Sequence, residues 1–353
     1  RGYHFTSIIF HVLAALAVFW LMTVLTHDTR LALFGGVLFV IHPVHTEAVS
    51  YISSRADPMF LFFLLVAATL YIKNLETKRL GIYLCMAVSY ICALLSKEMS
   101  VILPVLLLLY HDVFRKKLAC REFLTIVALA SLYAVSRMTD FDFSMESNTP
   151  STTLAQRLPG FFAAITEYFR LMVLPFNLHM EYGGALFRWN HPRAIAGLTV
   201  FVLSVFYVVV KRKEKGLVFF GLVWFFLAIL PVSNLYPINA TMAEHWLYLP
   251  AFGLFLMAAH GLNEVYKKKR LGNYFMPVLL GIIIYFFSIT IVQNRYWGDQ
   301  ITFYEKTLRY APQSVRMHNG LALAYYEAGK KNEAISAYTT AIEALPDNAT
   351  MYN

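Results

Sequence analysis

Apolar residues in this chain come in long unbroken blocks, not on one face of a helix and not in alternation. Ten blocks predict membrane helices: Phe5–Leu25, Arg30–Ile41, Met59–Ile72, Leu80–Leu95, Val101–Val113, Phe123–Val135, Ala194–Val210, Gly216–Pro231, Leu247–Leu262 and Tyr274–Val292. Several approach the roughly 20 apolar residues that a bilayer requires. Shorter ones, such as Arg30–Ile41, need flanking turns to cross. A further run, Phe161–Pro175, carries Glu167 and Arg170 and ends on a proline, which predicts a re-entrant or surface helix. Charged residues are concentrated in the connections.

Those connections differ in charge. Thr26–Arg30, Lys73–Arg79, Arg115–Arg121, Lys211–Lys215 and Lys267–Arg270 are short and basic, and hold more than half of the 30 Lys and Arg. The positive-inside rule places them in the cytoplasm. Strict alternation then puts Ile41–Asp57, Ser96–Ser100, Met138–Gly160, Asn177–Arg193, Ser233–Trp246 and everything after Arg295 on the other side. An even number of crossings from an outside start leaves the C-terminus outside as well. The net charge of +9 is thereby explained without nucleic acid.

Composition agrees. Of 353 residues, 58% are hydrophobic and 14% charged, against about 25% charged in soluble domains. The fold class expected is all-α, a polytopic helical membrane protein with about ten crossings over residues 1–294. The 16% aromatic share suits rings at the interfaces. Cys85, Cys92 and Cys120 offer neither a disulfide framework nor metal spacing. The chain opens on Arg1 directly into an apolar segment and stops at Asn353, so both ends read as cut, with no signal peptide in view.

Residues 295–353 are polar and periodic. Counted from Val315, Leu321, Ala322, Tyr325, Gly329, Ala334, Tyr338, Ala341 and Pro346 fall on the tetratricopeptide pattern. Tyr304, Thr307 and Pro312 repeat its second half one period upstream. One and a half repeats cannot close a core, so the segment either rests on the membrane part or continues beyond Asn353.

Candidate chemistry concentrates in Ile41–Asp57. Pro43 suits a first helical turn. A helix over Pro43–Ser54 would align Glu47, Tyr51 and Arg55 on one face, with His42 and His45 on another. Three readings fit: a centre that deprotonates a hydroxyl and holds a phosphate, an interfacial helix with an internal Glu–Arg pair, or a zinc site, although the histidines lack HEXXH order. Further polar groups on the same side are Lys97 and Glu98 in the turn Leu94–Ser100, Glu244 and His245 before the ninth block, His179 and Glu181 ahead of Gly183–Gly184, and Asp140 and Asp142 in a Ser/Thr-rich loop. The block interiors are nearly free of charge, whereas transporters place ionisable groups near mid-membrane.

The stretches RGYHFTSIIFHVLAAL, HPVHTEAVSYISSRAD, SKEMSVILPVLLLLYHD and AEHWLYLP, with the trailing repeats, resemble the transmembrane and tetratricopeptide-repeat O-mannosyltransferase family and its bacterial relatives. That family belongs to the GT-C glycosyltransferases. The resemblance implies transfer of a hexose, mannose in the animal members, from a polyprenyl-phosphate donor to a protein Ser or Thr hydroxyl on the non-cytoplasmic face. It implies catalytic roles for Glu47, Glu98 and Asp57, and donor-phosphate contacts from Arg55, Lys97 and His245. Beside these stand His42, His45, Glu244 and Glu181. His245 occupies a place where many relatives carry Arg. GT-C enzymes also keep an essential acid in their first outside loop, which by this topology precedes Arg1.

The partners implied are the bilayer, the lipid-linked sugar, and an acceptor protein held by the repeats. No further cofactor is called for, and a divalent metal is left open. Short loops favour a bacterial inner membrane with the repeats in the periplasm; the alternative is the endoplasmic reticulum with the repeats in the lumen. Asn239-Ala-Thr and Asn348-Ala-Thr fit glycosylation acceptors there. Two other functions share these features: a non-catalytic membrane scaffold built on the repeats, and a lipid-linked sugar flippase.

Overall fold

The computed structural model describes residues 2–139, 152–183, 187–236, 238, 240–268 and 272–344. The expectations placed on Asp140, Asp142, Gly184, Asn239, Pro346 and Asn348 lie outside them. Among the described residues the fold is helical, with no strand.

Each predicted block lies on a helix: α1 (Gly2–Thr26), α2 (Thr29–Ile41), α4 (Ala56–Thr77), α5 (Leu80–Ser96), α6 (Leu103–Val113), α7 (Cys120–Thr139), α9 (Pro192–Lys211), α10 (Leu217–Ile229), α11 (Ala251–Lys267) and α12 (Gly272–Trp297). The short helix α3 (Thr46–Ser50) sits between α2 and α4. Among the described residues five helices are long and apolar enough to cross a membrane: α1, α4 with the turn before it, α7, α9 and α12. A sixth candidate joins α2 to Pro43–Ser50 across a 50° bend. This is an integral membrane protein of the multi-pass kind.

Burial separates centre from rim. Phe60, Leu61, Leu64 and Leu65 on α4 have no exposed surface, and α1 and α5 pack on either side of them. By contrast α7, α9 and α12 bury less than a fifth of their apolar windows. Leu132, Leu203, Phe206 and Met276 stand bare on them. In water such surfaces would cost about 25 cal/mol per Å²; against lipid tails they cost nothing. Close crossings depend on glycine: a Cβ on Gly221 or Gly253 would strike the other's carbonyl between α10 and α11.

The run predicted at Phe161–Pro175 belongs to a longer helix, α8 (Leu154–Val173), that starts ahead of Pro159. It is not among the helices apolar enough to cross, and half of its residues are buried. Its Glu167 pairs with Arg170. Beyond α12 follow α13 (Gln300–Tyr310), α14 (Val315–Glu327) and α15 (Lys331–Ala344). Asp299 and Ser314 cap α13 and α14. Between α14 and α15 the left-handed Gly329 (φ 76°) makes the turn, and Leu321, Ala322 and Ala337 fill the seam.

The basic connections meet one another. Asn263 donates to Asp28 at 2.7 Å and Arg30 lies 4.5 Å over the Tyr266 ring. Arg115 donates to the Lys213 carbonyl at 3.0 Å, and Lys215 pairs with Asp112. The connections assigned to the opposite side also converge, and they build the site.

Candidate active site

α2 stops at His42 because the residue before a proline is pushed out of the helical region; its φ and ψ are −70° and 126°. The expected helix over Pro43–Ser54 does not form as one piece. A 3-10 turn (Pro43–His45) leads into α3, Tyr51 is extended, and a second 3-10 turn (Ile52–Arg55) enters α4. Glu47, Tyr51 and Arg55 therefore share no face, and the anticipated Glu47–Arg55 pair is absent among the described contacts. Tyr51 lies against Trp297 instead. Arg55 lies 5.0 Å over the Tyr3 ring.

Glu47 turns inward, 1% exposed. The backbone N–H of His245 donates to its Oε2 at 3.0 Å, and His245 Nδ1 lies 2.9 Å from its Oε1. Both carboxylate oxygens are thus committed to one residue, 198 positions away in the chain. The His245 ring keeps part of its surface open, 22%. Burial lowers its pKa, but the hydrogen bond it donates to Glu47 and the charge of Glu47, with the charge of Asp57, reverse this and raise it above the ordinary 6.5.

Lys97 leaves the end of α5 in an extended conformation and meets Asp57 at 2.6 Å. Tyr90 and Ser100 hold that turn, donating to the Ser100 and Ala93 carbonyls at 3.2 and 2.8 Å. Asp57 is 1% exposed, and its Oδ2 has no partner among the described residues. An unsatisfied buried carboxylate oxygen is costly in a folded protein. Glu98 does not join the pair; it faces solvent at the head of the next 3-10 turn. Glu47, His245, Asp57 and Lys97 thus form a chain of alternating charge. The 177–183 segment and α8 back it. Tyr168 of α8 brackets the turn before Glu244, its hydroxyl 3.4 and 3.5 Å from the Ala243 N–H and carbonyl.

Glu244 is as buried as Glu47. It accepts from the Tyr182 hydroxyl at 2.6 Å and the His179 N–H at 2.7 Å. Burial, then the charge of Glu47, push its pKa well above the usual carboxylate range. Glu181 points away from this cluster, to Arg316 of α14 at 2.8 Å. Lys306 of α13 donates to Gln293 at 2.6 Å, and burial brings its pKa down to about 8 against the pull of Glu244.

His42 and His45 lie buried behind the cluster. His42 Nε2 lies 3.2 Å from the Met172 carbonyl; the His45 ring lies tilted against Phe39 and edge-on to Tyr248, at 4.4 and 4.7 Å, and neither of its nitrogens has a partner among the described residues. No three His, Cys, Asp or Glu side chains among the described residues come together to hold a metal ion. Two hollows flank the cluster. One, about 660 Å³, lies between α4 and α5, lined by Arg55 and Ser96 together with Met59, Phe63 and Leu95. The other, about 700 Å³, lies between the 176–183 segment and the end of α13. Tyr182, Gln293, Lys306 and Tyr310 were not singled out from the sequence. Their only linear signal was the nearness of Tyr182 to His179 and Glu181.

Comparison with known proteins bears out the resemblance. A family model described as dolichyl-phosphate-mannose-protein mannosyltransferase matches residues 2–142. A protein O-mannosyl-transferase of Caenorhabditis elegans is 26% identical over 98% of this chain and 51% of its own length. The human protein O-mannosyl-transferases TMTC1 and TMTC3 are 24% and 22% identical over 99% and 98% of the chain, and 46% and 42% of theirs. The chain spans about half the length of the curated relatives it matches. No solved structure matches it.

Proposed function

We propose, with that likeness as premise, that the chain carries the reaction centre of a membrane glycosyltransferase. It moves mannose from a polyprenyl-phosphate donor to a Ser or Thr hydroxyl of a protein. The reaction takes place on the non-cytoplasmic face: periplasm in a bacterial plasma membrane, lumen in the endoplasmic reticulum. One observation supports the reading above others. Buried acids at Glu47 and Asp57 each hold a cation, His245 and Lys97, at the membrane end opposite the basic connections.

A departing lipid phosphate needs preorganised positive charge. Asp57 fixes the ammonium of Lys97, and Glu47 both orients the His245 ring and favours its protonated form. Arg55, in the lining of the hollow between α4 and α5, is suited to the donor phosphate, with Met59, Phe63 and Leu95 beside it taking the first lipid units. In a single displacement the acceptor oxygen bonds the sugar C1 as the bond from C1 to the phosphate oxygen breaks. The configuration inverts, and the lipid phosphate leaves with its electron pair. The hydroxyl proton passes to a carboxylate, for which Glu98 is the exposed candidate beside Lys97. Glu47 serves as a positioning residue, since both of its oxygens are occupied. The helices after Trp297 hold the acceptor protein.

The test is transfer of radiolabelled mannose from polyprenyl-phosphate mannose into protein, in membranes carrying the full-length parent of this chain, unchanged or with Lys97→Ala or His245→Ala. Label that enters protein with the parent and is lost in both variants supports the reading. Full transfer by both variants moves the centre elsewhere, and no transfer by the parent removes the enzyme.

A further inference from the structure

The hollow between α13 and the 176–183 segment has a composition unlike the phosphate site proposed above. Arg170, His179, Tyr182, Arg193, Tyr310 and Gln313 contribute to its lining. Its charges are largely spent internally, Arg170 on Glu167 and Glu181 on Arg316. What remains is the Arg193 guanidinium and a set of dipoles beside a ring stack: His179 lies between Tyr182 and Tyr310, at 4.0 and 4.4 Å, with interplanar angles of 29° and 15°. The stack is anchored at both ends, Tyr182 to Glu244 at 2.6 Å and Tyr310 to Asn177 at 3.0 Å.

We infer that this hollow receives the acceptor polypeptide as an extended, unfolded segment, an inference that rests on the transferase reading. Three observations converge on a peptide. An electroneutral lining offers little to a phosphate, whereas mixed donors and acceptors suit the alternating N–H and C=O groups of an extended strand. Its volume of about 700 Å³ lies in the range of ligand clefts, enough for a few residues and far too small for a folded domain. Tyr182 is at once a wall of the hollow and a partner of Glu244, so a strand seated here lies one side chain from the reaction cluster. The helices after Trp297 then act as a jaw. They capture a flexible stretch of the acceptor between α13 and the membrane domain, and a hydroxyl held in a rigid fold is refused.

The experiment uses the full chain in detergent micelles and a fluorescein-labelled twelve-residue peptide of Ser, Thr, Ala and Val. Gln313→Trp fills the mouth of the hollow from an exposed turn, and Glu327→Trp adds the same ring to an exposed site at the far end of α14. Peptide affinity falls about tenfold or more in the first variant and stays at the parent value in the second, consistent with lost contacts in a ligand cleft. In transfer kinetics the KM for peptide rises in Gln313→Trp, while the KM for polyprenyl-phosphate mannose is unchanged. Equal peptide affinity in all three chains overturns the inference, as does a parent that binds no peptide or a variant that loses the lipid donor instead. Mannose transfer by the parent, measured in the same preparation, separates that result from failure of the transferase reading.

Discussion

Glu47→Gln is the sharpest perturbation of the cluster. Glutamine keeps the volume of the side chain and one acceptor oxygen, but replaces the other oxygen with an NH2. Two donors from His245, the backbone N–H and Nδ1–H, now face one acceptor and one donor. One hydrogen bond is lost and the charge with it. A hydrogen bond to a charged group contributes about 1.5–3 kcal/mol, which lowers kcat/KM for the lipid donor by about ten- to a hundredfold at 1.36 kcal/mol per decade. The pH profile carries the more specific signature. Glu47 is the main reason that the His245 pKa lies above 6.5, and without it burial pulls that value down. A mechanism that uses protonated His245 loses activity as pH rises through the raised value, so the alkaline limb of Glu47→Gln moves to lower pH. The assay is mannose transfer from pH 5.5 to 8.5, with thermal unfolding in micelles as a check on folding. A folded variant with the parent's rate and an unmoved alkaline limb would refute the assignment of Glu47 and His245.

Other outcomes follow from the packing. Lys97→Met strands the buried carboxylate of Asp57 and costs about 3–5 kcal/mol; Lys97→Met with Asp57→Asn recovers most of the unfolding temperature but not transfer. A leucine at Gly253 meets the Gly221 carbonyl and destabilises by about 1–3 kcal/mol or more, seen as a lower unfolding temperature in detergent. Lys306 titrates at about 8 when folded and at 10.5 when unfolded. The unfolded chain thus binds more protons across that window, so the penalty for its charge is full below pH 8 and relieved as pH rises towards 10.5. Lys306→Met, discounted for the half-exposed position, stabilises the docking of α13 by about 1–2 kcal/mol near neutral pH. Hydrogen exchange of the α13 amides reports it, and faster exchange in the variant would count against this reading of Lys306.

Hydropathy alone located every apolar helix, because a span must satisfy its backbone internally and show apolar side chains along its length. The same rule exposed the charge asymmetry of the connections and left the chemistry-bearing residues in the few polar gaps, where Glu47, Asp57, Lys97, Glu244 and His245 could be picked out. Their partners were not legible. Lys97 meets Asp57 across 40 positions, and His245 meets Glu47 across 198; nothing in local pattern encodes such pairings. A helical period over Pro43–Ser54 suggested that Glu47 would face Arg55. Packing broke that helix at Tyr51, sent Glu47 inward to His245 and left Arg55 on Tyr3. Tyr182, Lys306 and Tyr310 acquire meaning only where α13 folds back onto the 176–183 segment. Where a residue lies relative to the membrane is a property of its own stretch of chain. Which charge it neutralises depends on helices brought together by burial of surfaces far apart in the sequence, and only the tertiary structure decides that.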